Sequence, residues 1–271
     1  MRFEEDIRYF INKIRDKIYY KTTKKLVKDI KKVLLNYHDD IPVFLISYNN
    51  AIYVKNSVEQ LKKYNIKPII LDNNTTDKAS LKLLKELEKD QKAYVVYSER
   101  NFGHMIGFLN PVFEVMPEVF AYSDPDLEFN KNLPQDFLKT LDELTKRYKV
   151  FKAGFALELL DEEMISVNIT RKYGVPKAYT KELTIKEWEE QFWRMKLYHE
   201  RLEVYQAPLD TTFAVYRKSN LLEDFFDGVR VAGDFSAIHL PWYPKRDLLS
   251  KEQKEVYLKD NKSSTWVNID E

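Results

Sequence analysis

The sequence contains no cysteine, so disulfides, thiolate metal sites and cysteine nucleophiles are all excluded. No run approaches the ~20 apolar residues of a membrane span. The opening residues, Met1-Arg2-Phe3-Glu4-Glu5-Asp6, lack the apolar stretch of a signal peptide. A soluble, intracellular protein is therefore expected. An excess of one charge is also missing: 44 Lys and Arg face 43 Asp and Glu. Whole-chain electrostatics give no reason to expect nucleic acid as the ligand. Four motifs are absent as well: the Gly-x-x-x-x-Gly-Lys-Ser/Thr phosphate loop, a Gly-x-Gly-x-x-Gly after the first strand, the Gly-x-Ser-x-Gly elbow and the His-Glu-x-x-His helix. Their absence disfavours nucleotide hydrolysis, dinucleotide redox chemistry, serine hydrolysis and zinc proteolysis.

What is present suits a packed protein. With 271 residues, 44% of them hydrophobic and 14% aromatic, the chain can build one large α/β domain or two small ones. Charge is unevenly placed, since residues 1–38 hold eleven Lys and Arg against five Asp and Glu. There Ile7, Phe10, Ile11, Ile14 and Ile18, then Leu26, Ile30, Val33 and Leu34, recur at helical spacing and predict one or two helices. The basic face of Lys21, Lys24, Lys25, Lys28, Lys31 and Lys32 could rest on an anionic membrane carrying a lipid-linked acceptor. A solvated helix face is the favoured reading of those lysines.

From Ile41 the pattern changes to short apolar runs separated by polar turns and helices. Pro42 to Ile46 predicts a buried strand ending at Ser47-Tyr48-Asn49-Asn50, and Val54, Val58 and Leu61 mark the buried face of a helix. A strand Pro68 to Leu71 ends at Asp72-Asn73-Asn74, and a helix from Ser80 to Lys89 leads to a strand from Ala93 to Tyr97. Strand, helix, strand, helix, strand is the pattern of a parallel sheet, whose ligands bind beyond the carboxyl ends of the strands. Further on, a strand Val119 to Tyr122, a helix Phe137 to Tyr148, a strand Lys152 to Leu160, an amphipathic helix Ile185 to His199 and a strand Thr212 to Tyr216 are expected.

Val119 to Tyr122 runs directly into Ser123-Asp124-Pro125-Asp126. Two carboxylates one residue apart at a strand end can turn both side chains to one side, where a hard divalent cation accepts oxygen ligands and keeps positions open for phosphate. The competing reading is a turn whose carboxylates bond backbone N–H groups. The end of a fourth parallel strand favours the first.

Four strand-end segments in this order, Pro42 to Asn49, Asp72 with Thr75-Thr76-Asp77, Arg100-Asn101-Phe102-Gly103-His104, and Asp124-Pro125-Asp126, resemble the donor half of a GT-A fold glycosyltransferase of the family 2 type. The resemblance covers residues 41–130. It implies a Rossmann-like α/β fold with a mixed, mainly parallel sheet flanked by helices. A helical extension (1–40) would precede a glycosyltransferase domain (41–271), divided into a nucleotide-sugar-binding half (41–130) and an acceptor-side half (131–271). Asp72-Asn73-Asn74-Thr75-Thr76-Asp77 departs from the usual family form at corresponding positions.

The resemblance further implies roles. Ser47 and Tyr48, with Asn49 beside them, would border the base and ribose of the donor, and Asp72 would accept from a base N–H. Asn101 and Gly103 would shape a turn close to the donor, with Arg100 and His104 near the ribose or diphosphate. Asp124 would approach the ribose and share the metal site, while Asp126 would ligate Mn²⁺ or Mg²⁺. His239, shortly before Pro241-Trp242, resembles the carboxyl-terminal histidine that completes such sites. A base for the acceptor hydroxyl is sought in Asp210, with Asp234 and Glu158 as rivals. Trp242, Tyr243 and Trp266 could stack on sugar faces or lie in the core, the core being favoured.

These readings converge on transfer of a sugar from a UDP- or GDP-linked donor to a glycan or lipid-linked glycan, with inversion, in the cytoplasm or at the inner membrane face. Surface polysaccharide synthesis is the expected setting by analogy. The alternatives are a nucleotidyltransferase that makes a nucleotide sugar, which should show a Gly-rich loop with Arg or Lys after the first strand, and a non-catalytic sugar-nucleotide or glycan-binding module.

Overall fold

The structure is a computed structural model that describes residues 19–165, 169–172, 180–222 and 224–260. The helical spacing read over Ile7 to Ile18 and the aromatic Trp266 lie outside those residues. The first described element to pack is helix α1 (Lys24–Leu34), which buries Leu26 and Ile30 and leaves its lysines outward.

Aliphatic and β-branched runs then become strands because both of their faces are covered. β1 (Val43–Ser47), α2 (Ala51–Lys62), β2 (Ile69–Asp72), α3 (Lys78–Lys89), β3 (Tyr94–Tyr97), the short α4 (Asn110–Phe113) and β4 (Val119–Ser123) follow in chain order. These four strands lie in parallel in the order β3-β2-β1-β4. Helix α3 begins two residues earlier than its apolar pattern suggests. Asp77 caps it, accepting from the Ser80 N–H at 2.7 Å.

The second half is less regular. β5 (Leu127–Phe129), α5 (Phe137–Tyr148), β6 (Lys152–Phe155), β7 (Ile169–Lys172), β8 (Thr180–Leu183), α6 (Ile185–Glu190), β9 (Lys196–Leu197), β10 (Val204–Gln206), β11 (Ala214–Arg217), β12 (Gly228–Val231), β13 (Ala237–His239) and α7 (Lys251–Asp260) complete it. β11 inserts antiparallel between β4 and β6, β12 runs parallel to β6, and β10 and β9 close the edge. The result is one nine-stranded sheet, β3-β2-β1-β4-β11-β6-β12-β10-β9. β13 pairs with β5 in a separate two-stranded ladder across the carboxyl end of β4.

One core lies on the sheet face covered by α2, α3 and α5, and a second under α1 and α4. Phe155 stacks on Phe213 at 4.7 Å in the first, and Phe120 on Tyr216 at 5.3 Å in the second. The GT-A-like mixed sheet is therefore the observed architecture.

Two expected elements are shorter than their sequence patterns. The strand expected to reach Leu160 ends at Phe155. Leu157 bridges to Ala237 instead, so the chain leaves the main sheet for the β5–β13 ladder. The helix expected from Ile185 to His199 stops at Glu190, despite a complete Thr184–Glu187 capping box, and tightens into a 3₁₀ turn at Gln191–Trp193. Backbone pairing of Lys196 with Tyr205 then takes over, an outcome helical periodicity cannot foresee.

Candidate active site

The ends of β1 and β2 present Ser47 and Asp72 side by side, paired in register and buried. Asp72 Oδ2 accepts from the Thr75 N–H at 3.2 Å, whereas Asp72 Oδ1 is buried without a hydrogen-bond partner and the Ser47 hydroxyl lies close beside the carboxyl. Burial pushes the Asp72 carboxyl above its ordinary range, against the lowering effect of Thr75 and of the Ser47 hydroxyl. A buried oxygen left free in this way can accept from a further donor.

Polar side chains brace the loops around this pair. Asn49, in the left-handed region at φ 53°, accepts from the Thr76 and Asp77 N–H groups at 2.9 and 3.0 Å, and its side-chain N–H donates to Thr76 Oγ1 at 3.1 Å. Its amide thus holds the 73–77 loop. Asn73 does the same for the next loop. Its side-chain N–H group donates to Asn101 Oδ1 at 2.8 Å and the Gly103 carbonyl at 2.9 Å, and its Oδ1 accepts from the Phe102 N–H at 2.7 Å. Gly103 sits at φ 80°, where a side chain would be strained. Arg100 is exposed, His104 and Tyr48 are half-buried, and the His104 carbonyl accepts from the Tyr122 hydroxyl at 2.7 Å.

The acids lie one strand over. Asp124 Oδ2 accepts from the Thr211 hydroxyl at 2.5 Å, and the Asp124 N–H donates to the Thr211 carbonyl at 2.9 Å. Burial, then the negative charges of Asp126 and Asp210, push the Asp124 carboxyl well up, with the Thr211 hydrogen bond opposing.

Asp126 is 5% exposed, its Oδ2 lies 3.4 Å from His239 Nε2, and its Oδ1 has no partner. The β5–β13 ladder, which pairs Leu127 with His239, makes this meeting across more than a hundred residues. His239 packs on Trp242 at 4.6 Å, and its Nδ1 is also buried and unpartnered. Among the described residues neither carboxylate accepts from a backbone amide, the alternative role for a pair of acids in a turn. No three His, Asp or Glu side chains among the described residues form a complete metal cage. Asp126 and His239 fit instead a site in which the protein gives two ligands and the substrate's phosphates supply others.

In the second half of the chain, Asp210 is exposed and close enough to Asp124 to raise its pKa. Glu158 accepts from the Ser236 hydroxyl and, at 3.5 Å, from the Asn130 side-chain N–H. Asp234 is exposed on a 3₁₀ turn, Gly233–Phe235, beside them. Trp242 and Tyr243 are core residues at 9% and 0% exposure. The Tyr243 hydroxyl accepts from the Leu160 N–H and donates to the Glu158 carbonyl.

Thr211 and Asn73, which sit beside Asp210 and Asp72, do not stand out in the sequence. Each is a short polar side chain next to a strand-end acid, and that adjacency is the only signal it offered.

The family model described as glycosyl transferase family 2 matches residues 43–221, which contain every one of these strand ends through β11. The protein belongs to glycosyl transferase family 2. No curated protein matches the sequence. Among solved structures this family 2 chain is similar to S. aureus TarS 1-349, with 15% identity and TM-score 0.38 over 66% of this chain and 47% of that one. It is also similar to the mannosyltransferase PcManGT from Pyrobaculum calidifontis in complex with GDP-Man and Mn²⁺, with 10% identity and TM-score 0.39 over 73% and 54%. A UDP-glucose pyrophosphorylase complexed with UDP-glucose shows 14% identity and TM-score 0.34 over 71% and 74%. The chain spans about half the length of the first two, 47% and 54%.

Proposed function

We propose that the protein is a metal-dependent, inverting glycosyltransferase that moves a sugar from a UDP- or GDP-linked donor to a hydroxyl of a glycan or lipid-linked glycan, as in surface polysaccharide synthesis. The observation that carries the reading is the meeting of Asp126 and His239 at 3.4 Å beside Asp124. Family membership supports the reaction class.

Asp72 Oδ1 and Ser47 Oγ receive the base, with Tyr48 bordering it and Asn49 holding the loop beneath. The turn of Arg100, Asn101, Gly103 and His104 covers the ribose and diphosphate. Asp124 faces the ribose. Asp126 and His239 would hold Mn²⁺ or Mg²⁺, whose charge would offset that developing on the departing nucleoside diphosphate.

Asp210 takes the proton of the acceptor hydroxyl as its oxygen bonds to the anomeric carbon and the bond to the diphosphate oxygen breaks. Asp210, which lies close enough to Asp124 to raise its pKa, is preferred over Glu158, whose carboxylate is engaged by Ser236 and Asn130, and over Asp234 on the neighbouring Gly233–Phe235 turn. No described helix is long and apolar enough to cross a membrane. A lipid-linked acceptor would be met from the cytoplasmic side, with the outward lysines of α1 towards anionic headgroups.

Isothermal titration of UDP and GDP with and without Mn²⁺, followed by donor hydrolysis by wild type and Asp126→Ala, tests the reading. Metal-dependent binding and hydrolysis lost in the variant are expected. Metal-independent binding with no hydrolysis by either protein would favour a binding module. Tight binding of a nucleoside triphosphate with a sugar phosphate would favour a nucleotidyltransferase.

A further inference from the structure

Two buried cations in the acceptor half belong to none of the roles above. Lys152 is 0% exposed in the apolar strand β6, and Arg230 is 6% exposed in β12. The parallel register sets Lys152 opposite Gly228 and Arg230 opposite Gly154, so the two cations share one face of the sheet, each beside a glycine. These glycines let the neighbouring chain close down. A Cβ on Gly154 would meet the Phe213 carbonyl at 2.4 Å, and one on Gly228 would meet Leu209 Cδ1 at 3.0 Å.

Both cations reach the turn so admitted. Arg230 Nε donates to the Pro208 carbonyl at 3.0 Å, and Lys152 Nζ donates to the Asp210 carbonyl at 3.2 Å, which also accepts from the Tyr216 hydroxyl at 3.2 Å. Arg230 is balanced by the buried Glu189 and lies on the Phe192 ring at 4.1 Å. Lys152 has no carboxylate within ion-pair distance among the described residues, and its amine lies 3.7 Å from the centre of the Phe225 ring.

Burying charged groups so deeply opposes folding unless they are compensated, and an apolar side chain would fill the same sheet positions without that penalty. We infer that Lys152 and Arg230 are positioning residues that clamp the Asp210 and Pro208 carbonyls of the 208–211 turn, fixing where Asp210 meets the acceptor hydroxyl and, through Thr211, where Asp124 stands. The inference rests on the assignment of Asp210 as base, but the clamp itself can be tested without it. Burial brings the Lys152 amine down to about 7, and an uncharged amine still donates to a carbonyl, so the clamp works in either state.

The test uses the full chain with Lys152→Met and, so that no lone buried charge remains, the paired variant Glu189→Gln/Arg230→Met. Amide hydrogen exchange of residues 209–212, thermal unfolding and transfer kinetics are measured together. A clamp predicts faster exchange in the turn, an unfolding temperature equal to or above wild type for Lys152→Met, unchanged donor KM and a kcat lower by about 10- to 100-fold, as small misplacements of reacting groups cause. In an Asp210→Asn background Lys152→Met should add little further loss, because both act on one group.

Unchanged exchange in both variants would overturn the clamp whatever the kinetics. A drop in unfolding temperature that accounts for the lost activity would make Lys152 merely structural and overturn it too. Faster exchange with a fully active Asp210→Asn would instead remove the base assignment and leave the clamp standing.

Discussion

The two halves of the sheet are held by different means. In β1, β2 and β3 the buried strand residues are largely aliphatic, among them Leu45, Ile46, Ile70, Leu71 and Val96, and the loops at their ends are braced by the amides of Asn49 and Asn73. From β4 onward the core is aromatic. Phe129, Phe137, Phe155 and Phe213 interlock on one face, and Phe120, Phe151, Tyr216 and Phe225 on the other. The difference teaches where the site comes from. The regular half offers a fixed row of strand ends, and the irregular half folds Thr211, Asp210 and His239 over them at the β4–β11 seam.

The largest expected effect would break this comparison from the aromatic side. Phe155→Ala should lower unfolding free energy by about 3–5 kcal/mol in urea titrations, because it removes the ring stacked on Phe213. A loss near 1 kcal/mol would mean that the aromatic half is not the stabilising one. Next comes Asp126→Asn, expected to reduce transfer by about 10²–10³-fold, the scale of losing one preorganised electrostatic group. Its unfolding curve should stay near that of wild type, and Mn²⁺ titration should show weakened metal affinity.

The buried amine sharpens the contrast through pH. Lys152 is depressed to about 7 in the folded state, against an ordinary value of ~10.5. Between these values the unfolded chain binds a proton that the folded one does not, so stability should rise with pH across that window and be lost as pH falls towards 7. The difference in unfolding free energy between wild type and Lys152→Met should climb by up to about 1.4 kcal/mol per pH unit there. A flat difference would show that the amine stays charged.

Asn73→Ala should act the other way from Phe155→Ala. It should loosen the 100–104 turn and weaken nucleotide binding by roughly 10-fold, while the lost hydrogen bonds lower the unfolding free energy by only about 1–1.5 kcal/mol. Asp77→Ala, which only uncaps α3, should cost about 1 kcal/mol of stability and leave nucleotide affinity as it is.

Legibility divides along the same line. The parallel half could be read because each strand there is a continuous apolar run closed by a polar turn, and its pairing partners follow in chain order. Local pattern alone therefore puts Ser47, Asp72, Asp124 and Asp126 at strand ends. In the other half β9, β10, β12 and β13 are two to four residues long. Segments so short carry no periodicity, and their pairing is set by neighbours far away in sequence.

The sequence by itself determined the alternation of strands and helices from residue 41 to 130, the solvent face of α1, and the two acids at the tip of β4, because each depends on local patterning. Only the tertiary structure decided that β11 enters antiparallel beside β4, that His239 comes to Asp126, and that Lys152 and Arg230 grip the turn bearing Asp210. Those meetings join residues far apart along the chain, and they arise from sheet register and core packing, which no local run of side chains encodes.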